Sequence, residues 1–388
     1  MKFLLVSSYA DSLLNFRGPL IKALQAAGLD VHVAAPGLQP GSSLYKEMSN
    51  MGLGIHNIPM QRTGTNPLQD LKTLWCLYRL MRRIKPDYLL SYFIKPVIYG
   101  SIAGALARIP HRFALIAGLG LTFQHHSEED PGKQTLITGG IVPLLYRIAI
   151  HQVKTVFFQN PDDMALFHNL KITTQKNKAV VVNGSGIDIQ KFSVSPLPEK
   201  NGKIQPHFLL IARLLAAKGT RIYADAARQI KQHYPEARFR LVGWIDENPD
   251  AISEQELATW QKEGIIEYLG KLDDVRPAID DTTVFVLPSY YREGTPRTIL
   301  EAMAMGRPVI TTNAPGCKEA VIDGYNGFLI PVKSVDSVVS AIKRFLDDPE
   351  LATIMGNHSR KFAEEKYDVN KVNAIMLEEM GIFRKTHD

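Results

Sequence analysis

Residues 293–308 read EGTPRTILEAMAMGRP, and this stretch carries the strongest local pattern in the 388-residue chain. Thr295 is a suitable residue to cap a helix, and Pro296 suits the first helical position, where its missing N–H is not needed. Gly306, followed by Pro308, ends the helix. The first turn of such a helix presents backbone amides and the positive end of the helix dipole, which together favour a bound anion.

Two carboxylates flank this predicted helix start. Glu293 precedes the helix and is expected to point into a cleft, whereas Glu301 lies five residues beyond Pro296. At 1.5 Å per residue this spacing is roughly 7–8 Å along the helix axis, about the distance from a bound diphosphate to its ribose. The alternative is that both are ordinary surface acids, but the complete string argues against it.

Two cations follow an earlier predicted strand. Residues 207–212 read HFLLIA, Arg213 comes directly after them, and Lys218 with Gly219 stands at the next predicted helix start. At the carboxyl edge of a strand, Arg213 and Lys218 can neutralise a leaving diphosphate. An Arg and Lys pair of this kind is more often structural when it occurs alone. Because the 293–301 string is present in the same chain, we favour a diphosphate-binding site.

The rest of the chain alternates short apolar runs with helical patterns, which is typical of parallel sheets connected by helices. The pattern runs once before residue 195 and restarts after a polar stretch at 196–205, interpreted as a linker. We therefore predict two doubly wound α/β domains facing each other across a cleft, with ligands at the carboxyl ends of strands. The predicted strands are 3–7, 31–35, 88–93, 113–116, 155–159, 207–212, 239–242, 266–269, 284–287 and 309–312, and the predicted helices are 19–27, 68–84, 219–233, 296–305 and 335–346.

Positive charge is unevenly distributed along the chain. The formal net charge is +6, yet from Arg62 to Arg112 nine Lys and Arg residues stand against Asp70 and Asp87, a local excess of +7. A basic region indicates an anionic partner such as phosphates, a lipid surface or nucleic acid. A merely solvated basic face is the alternative.

The cysteine count and the N-terminus favour a reducing cytoplasm. Cys76 and Cys317 are the two cysteines, too few for a disulfide framework or a cysteine metal cluster. The apolar run in residues 1–10 is short and ends at Asp11, so it is interpreted as a buried strand and not as a signal peptide. No stretch has 18 consecutive apolar residues, so no membrane span is expected.

Several classes of enzyme lack support in the sequence. There is no Asp-x-Asp pair, which a metal-dependent sugar transferase would use to hold its cation against phosphates. There is also no Gly-x-x-x-x-Gly-Lys-Ser/Thr loop and no Gly-x-Gly-x-x-Gly after the first strand. His125 and His126 lie in a polar stretch without nearby cysteines. We expect neither a metal ion nor a cofactor.

With these residues the chain resembles the family-four retaining glycosyltransferases, which have the GT-B fold. The resemblance covers nearly the whole chain and is strongest from 208 to 332. The Glu293 and Glu301 spacing matches the Glu-x7-Glu motif of that family. Arg213 and Lys218 match its diphosphate-binding pair.

Other strings extend the resemblance. Residues 270–272 (GKL) resemble the turn that contacts the base through its backbone, and 315–319 (PGCKE) match the turn that follows. A bacterial branch that extends polyprenyl-diphosphate-linked oligosaccharides, often with N-acetylgalactosamine, is similar at 91–96 (SYFIKP), 157–163 (FFQNPDD) and 183–188 (NGSGID). The products of that branch are glycans such as O-antigen, capsule or N-linked glycan.

Two positions depart from the family pattern. Many relatives carry a glycine pair in the first loop, whereas 14–18 read LNFRG here, so that Gly18 remains with Arg17 beside it. Many also place a histidine in the loop after the fourth strand, whereas 117–120 read AGLG. No catalytic histidine is assigned.

The resemblance implies transfer with retention from a UDP-sugar held in a nucleotide-sugar-binding domain, 196–365, without a metal ion. Glu301 would accept hydrogen bonds from the ribose, and Glu293 would hold the sugar hydroxyls. Arg213, Lys218 and the helix amides would stabilise the leaving UDP. The expected catalytic residues are Glu293, Arg213 and Lys218, and the expected nucleotide-sugar contacts are Gly18, Arg213, Lys218, Lys271, Leu272, Glu293, Gly294, Thr295, Pro296 and Glu301.

The acceptor, a polyprenyl-diphosphate-linked sugar, is expected on an N-terminal domain, 1–195, to which a C-terminal helix in 366–388 crosses back. The region around Trp75 and Arg82 could lie against an anionic membrane, at the inner face of the cytoplasmic membrane. The alternative is that this helix packs Leu71, Leu74 and Tyr78 on its own sheet.

Two other functions stay open at this point. A UDP-N-acetylglucosamine 2-epimerase would use the same paired architecture without an acceptor. A non-enzymatic polyanion binder would explain the positive charge, but it leaves the 293–301 string unexplained, and no nucleic-acid motif accompanies the charge. We expect no nucleic-acid partner.

Overall fold

The computed structural model describes residues 1–61, 66–119, 140–246 and 248–382. The chain forms two compact units, Met1–Ser185 with Asn370–Asp388, and Gly186–Val369. The sequence pattern placed the change between domains near residue 195, and the structure places it between Ser185 and Gly186. Four residues that entered the sequence analysis lie outside the described ranges: Arg62, Gly120, His125 and His126.

A parallel sheet forms the centre of the first unit. In the described part of this unit its strands are β1 Lys2–Val6, β2 Asp30–Ala35, β3 Gly54–Asn57, β4 Tyr88–Tyr92, β5 His111–Ile116, β6 Thr155–Phe158 and β7 Lys178–Val181. Their order in the sheet is β3-β2-β1-β4-β5-β6-β7, so the direction of winding reverses between β1 and β4.

Both faces of this sheet are buried, which explains why its strands are continuous apolar runs. In β1, Phe3 and Leu5 belong to the core on one face, whereas Leu4 and Val6 belong to the core on the other. Alternate side chains of a strand point to opposite faces, so a strand covered on both sides needs apolar residues at every position.

Helices cover the two faces of the first sheet. They are α1 Asp11–Asn15, α2 Gly18–Ala26, α3 Ser43–Asn50, α4 Pro67–Ile84, α5 Ser101–Leu106, α6 Ile141–Ile150 and α7 Pro161–Asn169. A π-helical turn at Pro96–Gly100 precedes α5.

Helix α4 exists as predicted, and of the three residues in the alternative packing set Leu74 and Tyr78 pack partly buried on the sheet whereas Leu71 does not. Asn66 caps it by accepting hydrogen bonds from the backbone N–H groups of Leu68 and Gln69 at 3.1 and 3.3 Å. The structure leaves Leu71 and Trp75 exposed, at 62% and 59% of their surface. A second set of residues with helical spacing packs on the sheet instead: Thr73, Leu77, Leu80, Met81 and Ile84.

The second unit has its own parallel sheet. In the residues described for it, a short hairpin, β8 Glu199–Lys200 and β9 Lys203–Ile204, precedes β10 His207–Ile211, β11 Arg238–Val242, β12 Glu267–Tyr268, β13 Val284–Leu287, β14 Val309–Thr312 and β15 Gly327–Ile330. The stretch predicted as a linker therefore contains an antiparallel hairpin. The parallel strands follow the order β12-β11-β10-β13-β14-β15, which reverses between β10 and β13.

Helices flank the second sheet as well. They are α8 Thr220–Lys231, α9 Glu254–Lys262, α10 Arg276–Asp280, α11 Arg297–Ala304, α12 Val335–Asp347 and α13 Glu350–Phe362. The final helix, α14 Val369–Glu379, contributes Val372 and Met376 to the same core of the first unit as Phe3. In the ranges that the structure describes, no helix is both long and apolar enough to cross a membrane.

Candidate active site

The candidate site lies where the winding of the second sheet reverses. Strands β10 and β13 are neighbours, and Arg213 follows β10 whereas Glu293 follows β13. The two loops are held together because the backbone N–H groups of Tyr290 and Tyr291 donate to the carbonyl of Ala217 at 2.9 and 3.0 Å. In doubly wound sheets, ligands bind in the crevice at this point.

An ion pair connects the two loops. The ammonium of Lys218 donates to the carboxylate of Glu293, and each side chain is only 12% exposed. The hydroxyl of Ser289 also donates to Glu293 at 3.3 Å. Removing Lys218 would leave a largely buried carboxylate with less compensating charge, which proteins tolerate poorly.

A glycine makes the approach of these loops possible. Gly219 has a backbone φ of +79°, and a Cβ atom on it would lie 2.2 Å from the carbonyl oxygen of Pro288. A larger residue would force the loop that carries Lys218 away from the loop that carries Glu293.

Arg213 and Lys218 both lie near the ring of Tyr291. Its guanidinium donates to Asp246 at 2.9 Å, and the two side chains are 20% and 17% exposed. The Cζ atom of Arg213 and the Nζ atom of Lys218 lie 5.8 and 5.0 Å from the centre of the Tyr291 ring. Burial is the largest influence and acts to lower the pKa of Arg213, but the hydrogen bonds and charges of Asp246 and Tyr291 together outweigh it, so the net shift is upward. Arg213 thus stays charged.

The helix after Glu293 begins one residue later than predicted. Helix α11 starts at Arg297, with Pro296 at the cap position in extended geometry, φ −62° and ψ +116°. Thr295 is therefore not the cap and Pro296 is not the first helical residue. The N–H groups of Ile299 and Leu300 donate to the Pro296 carbonyl, which fixes this helix start.

Glu301 is a buried carboxylate on α11. It is 8% exposed and accepts a hydrogen bond of 2.9 Å from Nε of Arg297, one helical turn earlier. Burial raises the pKa of Glu301, and the charge of Arg297 opposes that rise. A carboxylate held in this way keeps lone pairs available for a hydroxyl donor.

The turn after β12 lies at the same edge of the sheet. Gly270 has φ +72°, and its carbonyl accepts a hydrogen bond of 2.9 Å from Gly243, which follows β11. The Nζ atom of Lys271 lies 5.4 Å from the ring centre of Trp244. Leu272 packs partly buried against the core of the second unit.

The turn at 315–319 supports the loop that contains Gly294. Gly316 has φ +86°, and a Cβ atom there would lie 2.2 Å from the Gly294 carbonyl oxygen and 2.6 Å from that of Glu293. Cys317 beside it is buried, and burial raises the pKa of its thiol to about 12, so this thiol stays protonated at neutral pH.

Gly18 is the one predicted site residue in the first unit. It begins α2, is buried, and has no atom within 4 Å of an added Cβ. Arg17 before it is 2% exposed, and its Cζ atom lies 5.5 Å from the ring centre of Tyr92. The other nine predicted contacts all lie in the second unit.

Three residues of the site were not predicted. Asp246, Ser289 and Tyr291 hold the side chains of Arg213 and Glu293 in place. Each lies within a few residues of the carboxyl end of β11 or β13, and this position is the signal that could have found them. Among the residues that the structure describes, no three His, Cys, Asp or Glu side chains are grouped to hold a metal ion.

Two family models match the chain. The model described as glycosyl transferases group 1 matches residues 205–348, and the model described as glycosyl transferase 4-like matches residues 3–160. The first range includes nine of the ten predicted nucleotide-sugar contacts, and the second includes Gly18.

Two curated relatives align over most of their length. The N,N'-diacetylbacillosaminyl-diphospho-undecaprenol alpha-1,3-N-acetylgalactosaminyltransferase of Campylobacter jejuni is 29% identical over 95% of this chain and 96% of its own. The UDP-Gal:alpha-D-GlcNAc-diphosphoundecaprenol alpha-1,3-galactosyltransferase of Escherichia coli is 27% identical over 82% of this chain and 81% of its own.

The fold also matches solved structures. Anabaena Alr3699/HepE, crystallised in complex with UDP, superposes with a TM-score of 0.74 over 99% of this chain and 100% of that protein, at 18% identity. The chain therefore has the GT-B fold, which consists of two Rossmann-like units.

Proposed function

This chain belongs to the group 1, family-four glycosyltransferases with the GT-B fold, and from that premise we propose its reaction. It moves a hexose or N-acetylhexosamine from a UDP-sugar to a polyprenyl-diphosphate-linked saccharide, with retention at the anomeric carbon. The observation that carries the proposal is the convergence of Arg213, Lys218 and Glu293 at the reversal point of the second sheet. The names of the two curated relatives, both of which act on undecaprenyl-diphosphate-linked sugars, support the acceptor class.

The donor diphosphate is proposed to lie against Arg213 and Lys218. Both cations are largely buried, so their charge acts on a phosphate with less screening than at the protein surface. They supply the positive charge for which a metal-dependent transferase uses a cation. The start of α11 adds the positive end of a helix dipole.

The two carboxylates are proposed to hold the sugar and the ribose. Glu293 is fixed by Lys218 and Ser289, and it would accept hydrogen bonds from sugar hydroxyls and offset oxocarbenium charge. Glu301 is fixed by Arg297 and would accept hydrogen bonds from the ribose. Lys271 and Leu272 would present the backbone of their turn to the base.

The chemical step exchanges one bond at the anomeric carbon. The bond from this carbon to the diphosphate oxygen breaks, and the acceptor hydroxyl oxygen bonds to the same face. The acceptor proton passes to the oxygen of the leaving diphosphate, whose negative charge Arg213 and Lys218 stabilise. No side chain is assigned as general base.

The acceptor is proposed to approach the first unit at a membrane surface. Leu71, Trp75 and Leu106 are exposed and line a groove of about 490 Å³ together with Leu74 and Tyr78. Exposed Arg82 and Arg83 lie on the same helix, α4. An apolar surface with neighbouring cations fits the anionic inner face of a cytoplasmic membrane.

Product analysis tests the reaction directly. The protein is incubated with short polyprenyl-diphosphate sugars and one of four donors: UDP-N-acetylgalactosamine, UDP-N-acetylglucosamine, UDP-galactose or UDP-glucose. The masses of the products are determined by mass spectrometry. We expect one donor to extend the acceptor by one sugar, with the anomeric configuration retained by NMR. Interconversion of UDP-sugars without an acceptor would identify an epimerase instead, and absence of any extended product would contradict the proposal.

A further inference from the structure

We infer that Trp244 is the aromatic surface on which the base of the donor nucleotide stacks. This inference rests on the proposed function, because it assigns one part of the donor to one residue of the same unit. It adds a residue that the sequence motifs do not single out.

The backbone places Trp244 between the two loops that are proposed to bind the nucleotide. Its carbonyl accepts a hydrogen bond of 3.0 Å from Leu214, the residue after Arg213. The preceding residue, Gly243, donates to Gly270 at 2.9 Å. Trp244 follows β11, and β11 lies between β10 and β12 in the sheet. Trp244 therefore lies at the same edge of the sheet as Arg213 and as the turn that contains Lys271.

The position before Trp244 has no room for a side chain. A Cβ atom on Gly243 would lie 1.8 Å from the carbonyl oxygen of Ala212. The hydroxyl of Tyr268 donates to the Gly243 carbonyl at 3.0 Å. The position of the indole is therefore set by a tightly packed backbone and not by a loose loop.

The indole is exposed where a purely structural tryptophan would be covered. Trp244 is 37% exposed, whereas Trp260 in the same unit is 6% exposed. Lys271 is the cation above its ring, 5.4 Å from the ring centre. A half-exposed aromatic ring beside a cation and beside a proposed diphosphate site offers a planar base both stacking and charge stabilisation.

Calorimetric titration of the full-length protein with UDP and with inorganic pyrophosphate tests the inference. Loss of one base-stacking contact lowers affinity by about tenfold, so Trp244→Ala should bind UDP about tenfold more weakly. Trp244→Phe keeps an aromatic face and should stay within about threefold of the wild type. Pyrophosphate, which has no base, should bind all three proteins equally.

The outcomes separate the inference from the function on which it depends. If the wild type binds no UDP, the proposed function fails. If the wild type binds UDP and Trp244→Ala binds it equally well, the inference alone is wrong. Equal losses for UDP and pyrophosphate in Trp244→Ala would indicate a disturbed loop and would also overturn it.

Discussion

At the scale of single residues, Glu301 is a carboxylate that is buried from water but paired with an arginine. Burial favours its neutral form, and Arg297 at 2.9 Å favours the ionised one. A buried ion pair of this kind contributes little to stability or lowers it. Glu301 occupies the kind of position at which function, more than folding, explains the residue.

Glu301→Gln should weaken UDP binding by roughly tenfold, because a hydrogen bond to a charged acceptor is stronger than one to a neutral amide. The affinity is measured by calorimetric titration. Glu263→Gln is the matched control, since Glu263 also pairs with an arginine, Arg228, but is 40% exposed at the surface. Unchanged affinity in the Glu301 variant would remove it from the nucleotide site.

Arg213→Ala should lower the turnover number by about 100-fold, the typical cost of removing one group that stabilises developing negative charge. Arg221→Ala is the control, because Arg221 also pairs with a carboxylate, that of Glu256, but its side chain is 46% exposed. Steady-state kinetics on both variants measures the difference. Equal turnover in the two variants would show that Arg213 is only structural.

At the scale of elements, the loops after β10, β13 and β14 depend on glycines for their close approach. A Cβ atom added to Gly219 or to Gly316 would lie 2.2 Å from a backbone carbonyl oxygen of the neighbouring loop. The catalytic geometry is therefore set by loop contacts as much as by the strands.

Gly316→Ala should reduce activity more than stability, because the added methyl group pushes the Glu293–Gly294 backbone out of place. Gly324→Ala is its control, with a similar φ of +74° but no atom within 4 Å of the added Cβ. Both variants carry the cost of a left-handed backbone, about 1 kcal/mol. Melting temperature and turnover number are measured for both variants. Equal losses of activity in Gly316→Ala and Gly324→Ala would contradict the prediction.

Helix α9 carries a pH-dependent cap. Ser253 and Glu256 form a reciprocal capping box, and the hydrogen bond from Arg221 lowers the pKa of Glu256 to about 2. A carboxylate with a lowered folded pKa stabilises the fold above its unfolded pKa of about 4.3, and this contribution disappears as the pH falls toward 2.

The Glu256→Gln variant keeps the cap but cannot titrate. We expect the melting temperature of the wild type to fall more steeply than that of Glu256→Gln between about pH 5 and pH 2. Parallel curves from differential scanning calorimetry over this range would show that Glu256 contributes no pH-dependent stability.

At the scale of the whole molecule, charge and apolar exposure are concentrated in the first unit. Helix α4 presents Trp75 to solvent and carries Arg82 and Arg83 on its exposed surface. A protein that acts on a lipid-linked acceptor has to meet its substrate at a membrane, and this surface is suited to that contact.

Arg82→Ala with Arg83→Ala should reduce binding to vesicles of anionic lipid by about 30-fold at low salt, since each cation contributes about 1 kcal/mol. Arg228→Ala, on the second unit, should bind as the wild type does. Co-sedimentation with vesicles gives the measurement. If the wild type is not retained by anionic vesicles at low salt, the proposed membrane contact is wrong.

Much of the fold could be predicted because its signals are local. The strands at Val284–Leu287 and Val309–Thr312 were predicted to the residue, since each is a short apolar run between turn residues. The two-residue strand Glu267–Tyr268 and the edge strand Gly54–Asn57 carry weaker patterns, and Gly54–Asn57 was not predicted. The alternative in which Leu71, Leu74 and Tyr78 pack on the sheet is wrong for Leu71, which is exposed; two sets of apolar residues in α4 have helical spacing, and local spacing does not choose between them.

The sequence by itself determined that two α/β units form, that Arg213, Lys218 and Glu293 lie in loops after strands, and that Glu301 lies within a helix. Capping, turn and burial preferences act between near neighbours in the chain, so these features are encoded locally. Only the tertiary structure decided that β10 lies beside β13, that Asp246 and Tyr291 hold the cations, and that Trp244 remains exposed. These contacts join residues far apart in sequence, and which of them form depends on the pairing of strands and the packing of whole helices. Local residue preferences do not encode that choice.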